Sequence, residues 1–133
     1  MSQKANDMLI NKARHVGIIM DGNRRWAKGK GLDYVFGHRK GAEAAKNIIK
    51  TAIDINIQYL TLYAFSSENW KRDPEEVNGL IGLLKYFLKN EINDLVKSGV
   101  CLKVLGDLSL FEDDIKQRIN KAIAKTRQNL KIN

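Results

Sequence analysis

Short apolar runs alternate with helical periodicity along this chain, and each run breaks into a polar turn; no other feature restricts the possible folds as strongly. Residues 15–20 read as a buried strand, and helical spacing follows over residues 37–56 through Ala44, Ala45, Ile48, Ile49, Ala52 and Ile53. Residues 58–66, "QYLTLYAFS", are rich in β-branched and aromatic side chains and predict a second strand. A long helix should start after Asp73 as N-cap, with Pro74 at its first position and Glu75 and Glu76 in its first turn, and stop at Gly99. Residues 100–105 predict a third strand. Residues 111–128 predict a third helix with Ile115, Ile119, Ala122 and Ile123 on one face, and "NLKIN" resembles the opening of a fourth strand. The expected fold is α/β, a parallel sheet with flanking helices in the order βαβαβα, joined by right-handed crossovers and truncated at the start of a fourth strand.

No repeat or linker divides the chain, so residues 1–14 read as a tail and residues 15–133 as part of one domain. The 44% hydrophobic and 29% charged fractions are those of an ordinary globular protein. No apolar run approaches the ~18 residues of a membrane span, and residues 1–14 lack a signal-peptide core, so a cytoplasmic location is expected. A single cysteine, Cys101, excludes an internal disulfide framework and a Cys-rich zinc site; its apolar neighbours place it in the core. The net charge of +8 calls for an anionic partner, whether nucleic acid, membrane surface or phosphorylated small molecule. Most of the cations lie along helices and read as solvated faces, so only the cluster between Arg24 and Lys30 is informative.

In a parallel α/β sheet, ligands sit outside the carboxyl ends of the strands. Three polar segments fall there: "DGNRRW", "SSENWKR" and "GD". Trp26 and Trp70 lie in the first two and either cap the core or face a ligand. Gly22 allows a sharp turn and a close approach to the backbone, and free N–H groups at the start of a following helix favour an anion. Arg24 and Arg25 add charge-assisted bonds to phosphate oxygens. Asp21 would repel the same phosphate unless it held Mg²⁺ against it, since Mg²⁺ typically takes one or two carboxylates plus substrate phosphates. The loop therefore reads as a Mg²⁺-diphosphate site, with a plain basic turn as the alternative. The long helix carries Val77, Leu80, Ile81, Leu83, Leu84, Phe87, Leu88, Ile92, Leu95 and Val96, a spread wider than one core-facing stripe, with Gly79 and Gly82 leaving space beside it. It is either covered on two sides or lines a cleft for a long apolar tail.

The ordered segments "HVGIIMDGNRRWA", "GHRKGA", "LTLYAFSSENWKR" and "GD" resemble the successive motifs of the cis-prenyltransferases, specifically bacterial isoprenyl transferases of the undecaprenyl diphosphate synthase type. The resemblance runs from His15 onward and covers about the first half of the family's usual length. It implies an enzyme that condenses isopentenyl diphosphate onto an allylic diphosphate such as farnesyl diphosphate, each addition creating a cis double bond, on the way to a cell-wall lipid carrier. Carried over by motif position, Asp21 is the essential acid and Mg²⁺ ligand, and Gly22, Asn23, Arg24, Arg25, Trp26 and His38 surround the allylic diphosphate. Ser66, Ser67, Glu68, Trp70 and Arg72 complete the substrate site.

The resemblance also names Asn69 as the proton acceptor. A carboxamide is too weakly basic to act alone, so Asn69 is expected to orient a water, His38 or a diphosphate oxygen. His15 reads as structural. Full-length members form homodimers, and membrane contact is expected only transiently, through the lipid product.

Two departures stand out. Tyr34 occupies a segment where family members often carry an arginine, so that diphosphate contact is not transferred. The family's later motifs for isopentenyl diphosphate, the second Mg²⁺-binding glutamate and much of the dimer interface do not occur, so residues 1–133 alone are expected to be inactive in chain elongation. A non-catalytic module or accessory subunit holding a polyprenyl or diphosphate ligand is the alternative, against which the retained Asp21 argues. A nucleic-acid-binding domain is disfavoured because no nucleic-acid motif appears and the cations crowd into one turn.

Overall fold

The computed structural model describes residues 13–66 and 68–133. The expected tail therefore lies, except for Ala13 and Arg14, outside the described residues, as does Ser67. Strand β1 (His15–Ile19) is followed by a short helix α1 (Asn23–Gly29) and a long helix α2 (Tyr34–Asp54). Strand β2 (Tyr59–Tyr63) then pairs in parallel with β1, from His15 opposite Tyr59 to Ile19 opposite Tyr63. A single 3₁₀ turn at Asn69–Lys71 leads into α3 (Pro74–Asn90), α4 (Ile92–Ser98) and α5 (Asp113–Thr126). The parallel sheet with flanking helices is the expected α/β architecture.

The predicted third strand over residues 100–105 is the main correction. Only Val100 forms a bridge, in parallel with Ile132. The Cys101 amide donates to the Ile132 carbonyl at 2.7 Å, but the Leu102 amide turns to the Thr126 hydroxyl at 2.9 Å, because residues 131–133 reach no further along this segment. Those same residues lie against β2 on their other side: the Asn133 amide donates to the Gln58 carbonyl at 3.0 Å, and the Leu60 amide donates to the Asn133 carbonyl at 2.8 Å. The spatial order is thus β1, β2, residues 131–133, residues 99–101.

Residues 15–20 do not form a strand buried on both faces. Exposed and half-buried residues alternate along β1 and β2, with Val16 and Leu60 packed on the core and Ile19 77% exposed. The cause is that the described helices cover one face of the sheet: the core joins Ala52 of α2, Ile92 and Leu95 of α4 and Ala122 of α5 to Ile57, Val100 and Ile132. Each fully buried isoleucine contributes about 1.5–3 kcal/mol to this core. Cys101 is buried in it as expected.

The helix expected from Asp73 to Gly99 bends at Glu91. Hydrogen bonds continue through the bend, with the Glu91 amide on the Phe87 carbonyl at 2.9 Å and the Leu95 amide on the Glu91 carbonyl at 3.1 Å. The Glu91 carboxylate meets Lys46 of α2 at 2.6 Å, and beyond this interruption Ile92 and Leu95 are buried in the core. Gly99 ends the helix at φ +83°, as its position suggested. Asp73 takes the extended N-cap conformation, but its side chain makes no capping bond.

Candidate active site

Gly22 adopts φ +83° and lets the chain leave β1 and enter α1 at once. Asp21, at that corner, is 71% exposed: one carboxylate oxygen accepts the Gly22 amide at 2.7 Å, and the other lies 3.4 Å from the Arg25 guanidinium. The first amide of the turn is therefore held by Asp21 itself. Two glycines seat α1 against α2. A Cβ on Gly37 would lie 2.2 Å from the Asn23 carbonyl oxygen, and one on Gly41 would lie 2.4 Å from the Asn23 carboxamide nitrogen. The structure thus puts the Asn23 side chain in the notch over Gly41, while Trp26 stacks on Phe36 at 6.3 Å.

The strongest electrostatic feature of the site is one that sequence reasoning missed. The Glu76 side chain, in the first turn of α3, is fully buried and bonds three cationic or ionisable groups from three other segments. Arg24 of α1 donates to one oxygen, and His38 Nε2 of α2 and the Arg72 guanidinium approach the other at 3.1 and 2.8 Å. Burial pushes the Glu76 carboxyl up, but the hydrogen bonds from His38 and Arg72 and the charges of Arg72 and Arg24 outweigh it and hold the group below the usual carboxylate range. Arg24 also lies over the Tyr34 ring at 5.6 Å, and that ring meets His38 edge-on. In the sequence, Glu76 reads as a first-turn acid that helps mark the start of the helix. Its spacing of four from Arg72 was the available signal.

The loop after β2 is held by its own side chains. The Asn69 carboxamide oxygen accepts both the amide and the hydroxyl of Ser66, at 2.7 and 3.0 Å. Trp70 packs edge-on against Phe65 and Phe111, which ties this loop to the one before α5. Glu68 is exposed. The first two strand-end loops meet through Glu76, and Phe111 ties the second to the loop before α5; of the "GD" segment, Asp107 accepts the Ser109 amide within its own turn. Between α2 and α3 opens a groove of about 540 Å³ lined by Val35, His38, Gly79, Gly82, Leu83 and Tyr86, among others. His38 belongs to both the groove and the Glu76 cluster, so a cluster of cations adjoins a largely apolar groove whose lining also includes Arg39, Glu43, Lys46 and Glu91.

Comparison with known proteins bears on this arrangement. Residues 19–133 match the family model Prenyltransf, described for undecaprenyl diphosphate synthases. The chain belongs to this prenyltransferase family. It is 49% identical over 116 residues to the isoprenyl transferase of Clostridium perfringens, covering 87% of this chain and 46% of that protein. It is 48% identical over 124 residues to the ditrans,polycis-undecaprenyl-diphosphate synthase, (2E,6E)-farnesyl-diphosphate specific, of Wigglesworthia glossinidia brevipalpis, covering 93% and 48%. Its fold is similar to that of lavandulyl diphosphate synthase from Lavandula x intermedia in complex with dimethylallyl diphosphate, with a TM-score of 0.83 and 33% identity over 87% of this chain and 50% of that one. The chain spans about half the length of the curated relatives it matches. No helix among the described residues is long and apolar enough to cross a membrane.

Proposed function

We propose that this prenyltransferase chain carries the allylic-diphosphate side of an isoprenyl transferase site, where a farnesyl diphosphate-like substrate is held for condensation with isopentenyl diphosphate and formation of a cis double bond. The observation that carries this reading is the adjacency of a cationic cluster at Glu76 to the apolar groove between α2 and α3. A substrate with a diphosphate head and a prenyl tail has that same polarity.

The chain's own residues divide the work. Arg25 and Arg72 donate to diphosphate oxygens and stabilise the charge that grows on the departing group. Val35, Leu83 and Tyr86 line the groove along which the prenyl tail would lie. Ser66, Glu68 and Trp70 form the wall toward the second substrate, and Gly22, Asn23 and Trp26 shape the turn beneath the head. Asn69 orients the proton acceptor without being one, since its oxygen is committed to Ser66.

Asp21 fits Mg²⁺: its exposed carboxylate keeps one oxygen in only a long contact with Arg25, and one carboxylate plus diphosphate and water oxygens is a common Mg²⁺ set. When bound, the ion would neutralise the leaving diphosphate. The reading carries with it a cytoplasmic reaction, the homodimer of full-length isoprenyl transferases and membrane contact only through the lipid product.

Calorimetric titration of farnesyl diphosphate tests this. Arg25→Ala should weaken binding by about 1.5–3 kcal/mol, the worth of a hydrogen bond to a charged group. Asp21→Ala should lose the Mg²⁺-dependent part of the affinity while the chain stays folded. Wild-type affinity in Arg25→Ala, or tight salt-sensitive binding of DNA with none of farnesyl diphosphate, would refute the reading.

A further inference from the structure

We infer that Glu76 is the positioning residue of this site: its buried carboxylate gathers Arg24, His38 and Arg72 from three separate segments into one cluster at the mouth of the α2–α3 groove. As a positioning role for diphosphate binding, the inference rests on the function proposed above. Arg24 comes from α1, His38 from the first half of α2, and Arg72 from the loop before α3. The seating of α1 on Gly37 and Gly41 brings Arg24 toward His38, and Arg72 lies four residues before Glu76, but guanidinium groups gathered in this way repel each other. One carboxylate between them removes that repulsion, and its two oxygens fix where each donor points.

The division of contacts is specific. One Glu76 oxygen takes Arg24, and the other takes His38 at 3.1 Å and Arg72 at 2.8 Å, so both oxygens are occupied and no part of the carboxylate is left for solvent. The arginines, by contrast, keep 49% and 36% of their side-chain surface exposed. Each guanidinium has five N–H donors in a planar fork, and few of them are spent on Glu76. The cluster as a whole holds two fixed positive charges against one negative charge, and the surplus is left on the exposed groups. Such an assembly is attractive to an anion, yet its geometry is set before the anion arrives. That pre-organisation reduces the ordering cost of binding.

A purely structural role for Glu76, tying α3 to α1 and α2, makes a different forecast. It would change stability without changing how a folded molecule binds. The experiment uses residues 1–133 and compares wild type, Glu76→Gln and Glu76→Asp. Farnesyl diphosphate affinity is measured by calorimetry, and the Arg24 and Arg72 Nη–Hη resonances, those of the groups that bond Glu76, are followed by ¹H–¹⁵N NMR at low temperature with Arg→Lys variants for assignment. In wild type the two resonances should be dispersed and slow to exchange. In Glu76→Gln they should collapse to the position of free arginine, and affinity should fall at least about tenfold. Glu76→Asp keeps the charge with a shorter reach and should lie between the two.

Glu76→Gln with dispersed arginine resonances and unchanged affinity would overturn the assignment. If that variant does not fold, Glu76→Asp with wild-type resonances and affinity would do so instead. Absence of farnesyl diphosphate binding in the wild type would sink the function proposed above, whereas the arginine resonances would still decide the gathering role of Glu76.

Discussion

Gly37 and Gly41 stand about one helical turn apart on α2, and α1 rests directly on both. A methyl group at Gly37 would overlap the Asn23 carbonyl at 2.2 Å, a backbone atom that cannot step aside without moving the whole turn after β1. Overpacking of this kind typically costs about 1–3 kcal/mol. Gly37→Ala should therefore lower the denaturant midpoint and, because Asn23 and Arg24 move together, also weaken diphosphate binding. Equilibrium unfolding paired with calorimetry checks both; an unshifted midpoint would show that α1 is not seated as described. Gly82, beside the groove, has open space around its Cβ position, and the same change there should have no comparable effect on packing.

At the scale of elements, α3 carries two tasks at opposite ends: Glu76 at its start and the bend at Glu91 where it joins α4. Stability should follow the protonation of Glu76. Its folded carboxyl is held below the ordinary range, so its contribution is fully present above the unfolded value of about 4.3 and is lost as pH falls through the lower folded value. Denaturant midpoints measured between pH 7 and pH 3 should fall more steeply in wild type than in Glu76→Gln; equal slopes would count against the cluster. Period and caps made α2, α3 and α5 legible in the sequence, and Ile115, Ile119 and Ala122 are buried on one face as the spacing required. Helix α1 was not legible because seven residues hold too few turns to show a period. The third strand failed for a different reason: residues 100–105 have strand composition, but a ladder exists only where a partner lies alongside, and composition does not say where the partner stops. For the candidate site, the first two strand-end loops and their proximity were readable from order alone, whereas the "GD" segment follows no strand. Glu76 was not, because a first-turn acid already had a sufficient local explanation, and only the third dimension brings Arg24 and His38 to it.

For the molecule as a whole, one sheet face carries the helices and the other carries His15, Tyr59, Thr61, Tyr63 and Ile19, with His15 Nε2 and the Thr61 hydroxyl 2.7 Å apart. In the function proposed above, the cations at Glu76 and Arg25 serve one diphosphate. Condensation needs two substrates in near-attack geometry, and that positioning can supply about 7–11 kcal/mol of the barrier. Residues 1–133 alone are therefore expected to bind an allylic diphosphate without incorporating radiolabelled isopentenyl diphosphate, and to gain activity when mixed with the C-terminal half of a complete isoprenyl transferase. Robust incorporation by residues 1–133 alone would overturn that expectation.

The strand order has a consequence for how the molecule assembles in time. Residues 131–133 enter between β2 and residues 99–101, so the sheet cannot be joined across its middle until a segment some seventy positions downstream of Gln58 has arrived. Closing so long a loop costs chain entropy before any hydrogen bond repays it, and parallel pairings of this separation are slow to form. During synthesis β1, β2 and their helices would thus wait as a partly open structure with the Leu60 amide unpaired. Joining the sheet across its middle requires Asn133 to bond Gln58 and Leu60 on one side while Ile132 meets Val100 on the other.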